Sequence, residues 1–124
     1  MVQTSREFQA GPDPFGRTWQ VHFRWLQTGI SIRHADTVDV KFAAAPEGEA
    51  FEERVIALPH PALLAVSGKV GHPPTDSWCL KIAALHLKHM IESGEDFEKT
   101  LVTPMPQEIE GYARQLQDTL ASRK

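Results

Sequence analysis

Cysteine is almost absent from this sequence, because Cys79 is the only one in 124 residues. A single thiol cannot form an intramolecular disulfide, and it cannot supply the ligands of a Cys-based zinc finger. Long apolar runs are absent as well: no stretch reaches the roughly 18 to 20 apolar residues that cross a bilayer. The segment 1–16 is too polar for a secretory signal. We therefore expect a cytoplasmic protein with no membrane span.

The sequence also has no large excess of charge of one sign. Thirteen lysines and arginines against 16 aspartates and glutamates give a formal net charge of -3. This balance provides no general attraction for phosphate backbones, so we expect no nucleic-acid partner. Weak nucleic-acid binding through a polar sheet face is the least favoured alternative, and its residues would be Arg24, Arg33 and Lys41 with His22.

What remains is the composition of an ordinary globular domain, with 41% hydrophobic and 23% charged residues. The length corresponds to one domain. The segment 1–16 combines several glycines and prolines with only Phe8 and Phe15 as large apolar residues, which is too little buried surface to offset the ordering entropy. We predict a flexible segment over residues 1–16 and a single domain over residues 17–124.

The clearest strand pattern lies at the start of this domain. Trp19, Val21, Phe23 and Trp25 alternate with polar residues, which indicates a half-buried strand with these four side chains in the core. We predict a short turn at Gln27, Thr28 and Gly29 after this strand, because Gly29 can adopt the positive φ of a tight hairpin.

The following segment has two interpretations. Residues 30–42 form either one long strand or two short strands separated by a turn at 34–37. Residues 51–58 form a further strand, which Pro59 ends. The pattern therefore predicts three or four antiparallel strands.

Helical signals dominate the second half of the chain. We predict a short helix over 62–67 that Gly68 ends, a long helix to residue 93 capped by Thr75 or Asp76, and a last helix over 106–121. Strands followed by helices are typical of an α+β domain with an antiparallel sheet packed by two long helices and one short helix. The last helix has a single apolar stripe, formed by Ile109, Tyr112, Ala113, Leu116 and Leu120.

The long helix has two apolar sides. One side is wide enough to cover a sheet, and it contains Cys79, Leu80, Ala83, Ala84, Leu87, Met90 and Ile91. The second side contains Trp78, Ile82, Leu85 and His89. Either the last helix or a partner chain must cover the second side. We expect a homodimer in which these four residues form the interface.

Six histidines raise the question of a metal site. His86 and His89 are three residues apart on one helix, so their rings could share an ion if a third ligand came from elsewhere. The sequence contains no His-Glu-x-x-His motif and indicates no third ligand. His86 and His89 are therefore weak metal candidates only, and we predict no metal and no cofactor.

No catalytic motif stands out either. Cys79 falls on the core side of its helix, where a thiol is usually inert, and Ser67 lacks the first glycine of a Gly-x-Ser-x-Gly elbow. His34 and Asp36 could act as an acid–base pair, although the same residues are common in turns. We predict a small soluble binding or interaction module that forms a homodimer and has no catalytic site. The alternative is a small enzyme or metal-binding protein that uses His34 and Asp36, or His86 and His89.

Overall fold

The computed structural model describes residues 6–29, 37–95 and 98–121, which form one mixed sheet and three helices. The elements are β1 Glu7–Ala10, β2 Trp19–Gly29, β3 Thr37–Pro46, β4 Glu52–Pro59, α1 His60–Val70, α2 Asp76–Ser93, β5 Leu101–Val102 and α3 Pro106–Ala121. The strands lie in the order β1-β2-β3-β4-β5. The first four are antiparallel neighbours, and β5 is parallel to β4. The α+β class is confirmed.

The strand count and direction differ from the prediction of three or four antiparallel strands. The described residues form five strands, and the additional ones are the short edge strands β1 and β5. Two residues in β5 and four in β1 are too few to show an alternating pattern. β1 lies inside segment 1–16, where the Phe8 ring contacts the Phe42 ring edge to face at a centroid distance of 6.4 Å.

A β-bulge in β2 changes which side chains face the core. Phe23 lies opposite Phe42, but Trp25 lies opposite Lys41 and Leu26 opposite Val40, so Arg24 is an extra residue in the strand. One extra residue exchanges the two faces for the remainder of a strand. Phe23, which precedes the bulge, and Leu26, which follows it, therefore both pack against the core. The predicted core position was wrong for Trp25.

The turn predicted at Gln27, Thr28 and Gly29 was also wrong, because these residues belong to β2 and pair with β3 as far as Thr37. The connection between β2 and β3 is thus residues 30–36. These residues, with His34 and Asp36 among them, lie outside the described part of the chain. The choice between one strand and two over 30–42 depended partly on them.

The helix ends follow local capping signals. At the start of α2, the Thr75 side chain accepts a hydrogen bond from the Trp78 backbone N–H, and Gly94 ends the helix with φ +78°. α3 has the predicted bounds. α1 is longer than predicted, because the helix continues through Gly68 and ends at Gly71, whose φ is +69°.

The three helices lie on one face of the sheet. α2 packs against the first four strands and against α3, and α3 packs in turn against α1. α2 is therefore the middle layer, which explains why both of its sides are apolar. Side chains with no exposed surface come from every layer and include Phe42, Ile56, Leu63, Leu87 and Ile109. Within the described ranges, no helix has the length and hydropathy needed to cross a membrane.

Candidate binding surface on the open sheet face

The face of the sheet opposite the helices carries one row of side chains across four strands. Trp25, Lys41, Val55 and Leu101 are successive partners in the pairing from β2 to β5. We call these four residues the transverse row. Leu101 is 55% exposed, and Trp25 and Val55 are half-buried. The row is therefore a partly apolar strip on a surface that the helices leave open.

Lys41 contacts two other side chains on the open face, those of Trp25 and Glu53. Its Nζ atom lies 5.0 Å from the centre of the Trp25 ring, within the range of a cation–π contact. The same atom lies 3.3 Å from Glu53 Oε1. Lys41 thus holds the indole ring and a carboxylate on one small area of the sheet.

A second row lies beside the first and is more polar. Glu7, His22, Ala43 and Glu53 are successive partners from β1 to β4. His22 Nδ1 lies 3.0 Å from Glu7 Oε1. The His22 ring also meets the Phe51 ring edge to face, with centroids 5.0 Å apart. This row therefore combines two carboxylates with an imidazole that also makes an aromatic contact.

A cleft of about 530 Å³ opens at the end of this second row. We call it the β1–β2 cleft. Its lining residues are Arg6, Glu7, His22, Phe23, Arg24 and Phe51. Phe51 is 46% exposed, and Arg24 is exposed at the bulge. The cleft joins aromatic rings to guanidinium groups.

The two histidines of α2 differ in position, because His86 lies between α2 and α3 whereas the side chain of His89 is half exposed. His86 is 4% exposed, and its Nδ1 atom is 2.8 Å from the Tyr112 hydroxyl. His89 instead faces Glu95, with 3.6 Å between His89 Nε2 and Glu95 Oε2. The two imidazoles therefore have different partners, and their ring centroids are 6.3 Å apart. In the part of the chain that the structure describes, no three His, Cys, Asp or Glu side chains are placed to hold a metal ion.

Two potential nucleophiles are held in their protonated forms. Burial, and after it the Asp76 carboxylate, raises the pKa of the Cys79 thiol to about 11. Burial, with the Glu108 and Glu95 carboxylates, raises the pKa of Tyr112 to about 12. A thiol and a phenol with these pKa values carry almost no negative charge at neutral pH, so both are weak nucleophiles.

The four residues predicted to form a dimer interface have different environments. Trp78 is 3% exposed and Ile82 is 0% exposed, so their own chain covers them. Part of this cover is His72, whose ring stacks on Trp78 at a centroid distance of 5.6 Å. Leu85 is half-buried, and the His89 side chain is 47% exposed. The interface stays a prediction, and these last two residues supply the accessible surface of the set.

Sequence reasoning missed a polar centre at Asp13. Its carboxylate accepts hydrogen bonds from the backbone N–H groups of Phe15 and Arg17, from Arg17 Nε and from Trp19 Nε1, at 2.8–2.9 Å. Burial would raise the pKa of this carboxyl, but the hydrogen bonds from Trp19, Arg17 and Phe15 outweigh burial and hold the pKa well below its usual range. The motif Gly-Pro-Asp-Pro indicates a turn, but the indole partner six residues later carries no local signal.

The open sheet face was missed for a related reason, because Trp25 was assigned to the core. Its exposure depends on the bulge at Arg24, and the bulge depends on pairing with β3.

Comparisons of the chain with protein-family models, with curated proteins and with solved structures each found no match.

Proposed function

We propose that this chain is a non-catalytic binding module that forms a homodimer through the open face of its sheet. The observation that carries the proposal is the transverse row. Trp25 and Leu101 present apolar surface at its two ends, and Lys41, the neighbour of Trp25 in the row, contacts the indole ring. Partly exposed tryptophans on rigid elements are frequent anchors of protein interfaces.

Charge supports a second copy of this chain as the partner. A two-fold dimer places the same surface against itself, so a face with one sign of charge would repel its copy. The open face has both signs, because the Lys41 ammonium lies beside the Glu53 carboxylate. Such a face can match positive groups of one protomer with negative groups of the other.

The state of the candidate nucleophiles favours binding over catalysis. Cys79 is 2% exposed and its pKa is raised to about 11. Tyr112 is engaged with His86 inside the contact between α2 and α3. These groups stabilise the packing of the helices, and they do not converge on the β1–β2 cleft.

Charge substitution of single leucines tests the dimer. Leu101→Glu places a carboxylate in the transverse row, and Leu64→Glu is the matched control, since Leu64 on α1 is 51% exposed. In analytical ultracentrifugation we expect the wild type and Leu64→Glu to be dimers and Leu101→Glu to be a folded monomer. Circular dichroism verifies the fold.

Leu85→Glu tests the rival surface on α2. If Leu85→Glu dissociates the dimer and Leu101→Glu does not, the interface lies on α2 and the proposal for the sheet face is wrong. A wild-type protein that stays monomeric at high micromolar concentration contradicts a homodimer through either surface.

A further inference from the structure

We infer that the β1–β2 cleft is a binding site for a small aromatic anion, meaning a planar ring that carries a phosphate or a carboxylate. This goes beyond the homodimer and does not depend on it, because the ligand contacts lie at the β1 end of the sheet. The cleft measures about 530 Å³. Typical ligand pockets measure about 300–1,000 Å³.

The aromatic half of the site is Phe51 with His22. Phe51 keeps 46% of its surface exposed, and the edge-to-face contact with His22 at 5.0 Å orients the ring. His22 is fixed in turn by Glu7, whose Oε1 lies 3.0 Å from His22 Nδ1. An oriented and partly exposed ring provides a surface on which a planar ligand can stack.

The half of the site that would bind the anionic group of the ligand is Arg24. As the extra residue of the bulge it is exposed, and within the described ranges its guanidinium makes no hydrogen bond or ion pair. Bulges commonly redirect a side chain towards a binding site. A guanidinium can bind a carboxylate or phosphate through two parallel hydrogen bonds.

The balance of charge around the cleft favours a negative ligand. Arg24 is an exposed cationic residue of its lining, the Arg6 guanidinium lies 5.3 Å from the centre of the Phe23 ring, and the carboxylate of Glu7 is paired with His22. The whole chain has a net charge of -3. The β1–β2 cleft is thus a locally basic site with an aromatic wall, on a protein that is acidic as a whole.

Four probes separate the contributions of ring and charge. Isothermal titration calorimetry compares AMP and benzoate with adenosine, which lacks the anion, and with inorganic phosphate, which lacks the ring. We expect at least one aromatic anion to bind about tenfold more tightly than adenosine and phosphate, a difference of about 1.4 kcal/mol. Binding of AMP alone identifies a nucleotide site, whereas binding of both identifies a general site for aromatic anions. If neither aromatic anion binds at about 1 mM, the inference is wrong.

Matched variants locate the binding. We expect Arg24→Gln and Phe51→Ala each to weaken the bound probe about tenfold or more, since each removes one of the two contacts. The controls Arg114→Gln and Phe15→Ala remove the same groups at exposed positions elsewhere and should bind like the wild type. Equal binding by Arg24→Gln and wild type overturns the inference.

A measurement on the wild-type protein avoids any effect of the variants on folding. Nuclear magnetic resonance should show the largest ligand-induced shifts at His22, Arg24 and Phe51. Shifts that are confined to the helices would place the ligand elsewhere and would overturn the assignment of the β1–β2 cleft.

Discussion

Lys41 and Trp25 lie directly opposite each other in β3 and β2, with the Lys41 ammonium 5.0 Å from the centre of the indole ring. This pair exists on the open face only because Arg24 adds one residue to β2 before Trp25. A position that alternation assigns to the core is thereby turned outward, next to a cation. The backbone bulge thus places a cation–π contact on the surface of the sheet.

The first prediction concerns the contribution of this pair. Lys41→Met removes the charge beside Trp25 and Glu53 but keeps the aliphatic chain. Both contacts are partly exposed, so we expect the free energy of unfolding to fall by about 0.5–1 kcal/mol. Urea denaturation followed by circular dichroism measures it. Lys81→Met, at an exposed position of α2, is the control and should change stability by less than about 0.5 kcal/mol. A loss of the same size in a Trp25→Leu background, which has no aromatic ring, would show that the indole contributes nothing to the pair.

The second prediction concerns two glycines with opposite requirements. Gly11 has φ +126°, and a Cβ there would lie 2.8 Å from the Arg17 carbonyl oxygen. We expect Gly11→Ala to destabilise the protein by about 1–3 kcal/mol. Gly68 lies within α1 with open space around its Cβ position, so Gly68→Ala should stabilise the protein by about 0.5–1 kcal/mol. Thermal unfolding compares the two, and a shift of the same sign in both would contradict this account.

The third prediction is a dependence of stability on pH that comes from Asp13. The pKa of this carboxyl is lowered in the folded state, whereas an aspartate in an unfolded chain has a pKa of about 3.9. The unfolded chain therefore takes up the proton first as the pH falls, so the stabilising contribution is complete at neutral pH and is lost progressively below about pH 4. The difference in Tm between wild type and Asp13→Asn should be largest near neutral pH and shrink in acid. A difference that is constant from pH 7 to pH 2 would mean that Asp13 ionisation does not stabilise the fold.

The fourth prediction concerns segment 1–16, whose composition suggests a flexible and dispensable lead-in. In the structure the segment contains β1, the contact between Phe8 and Phe42, and the hydrogen bonds of Asp13. We therefore expect deletion of residues 1–16 to lower Tm by more than about 3 °C, which corresponds to roughly 1 kcal/mol or more for a domain of this size. Phe15→Ala is the control, because Phe15 is 83% exposed. An unchanged Tm for the deletion would show that the segment is dispensable after all.

The helices could be predicted from the sequence because their signals are local. Thr75 and Gly94 occur at the two ends of an apolar pattern with the helical period, and they cap α2 as expected. The stop at Gly68 failed because a glycine inside a helix costs only about 1 kcal/mol, which the packing of Leu63 and Val66 in the core outweighs.

The candidate sites could not be predicted because they depend on pairing between distant residues. The alternation of Trp19, Val21, Phe23 and Trp25 contains no mark of the bulge, which is set by the register of β2 against β3. The β1–β2 cleft similarly requires Phe51, which directly precedes β4, to approach His22 of β2. No window of sequence around either residue contains that information.

The extra residue at Arg24 changes which positions of β2 face the core. Before it, odd-numbered positions such as Val21 point inward; after it, even-numbered positions such as Leu26 do so. A deletion or insertion of one residue near this point would exchange Trp25 and Leu26, and the remainder of β2 after them, between interior and exterior. Changes in the length of β2, more than substitutions within it, would therefore decide which side chains the open face of the sheet presents.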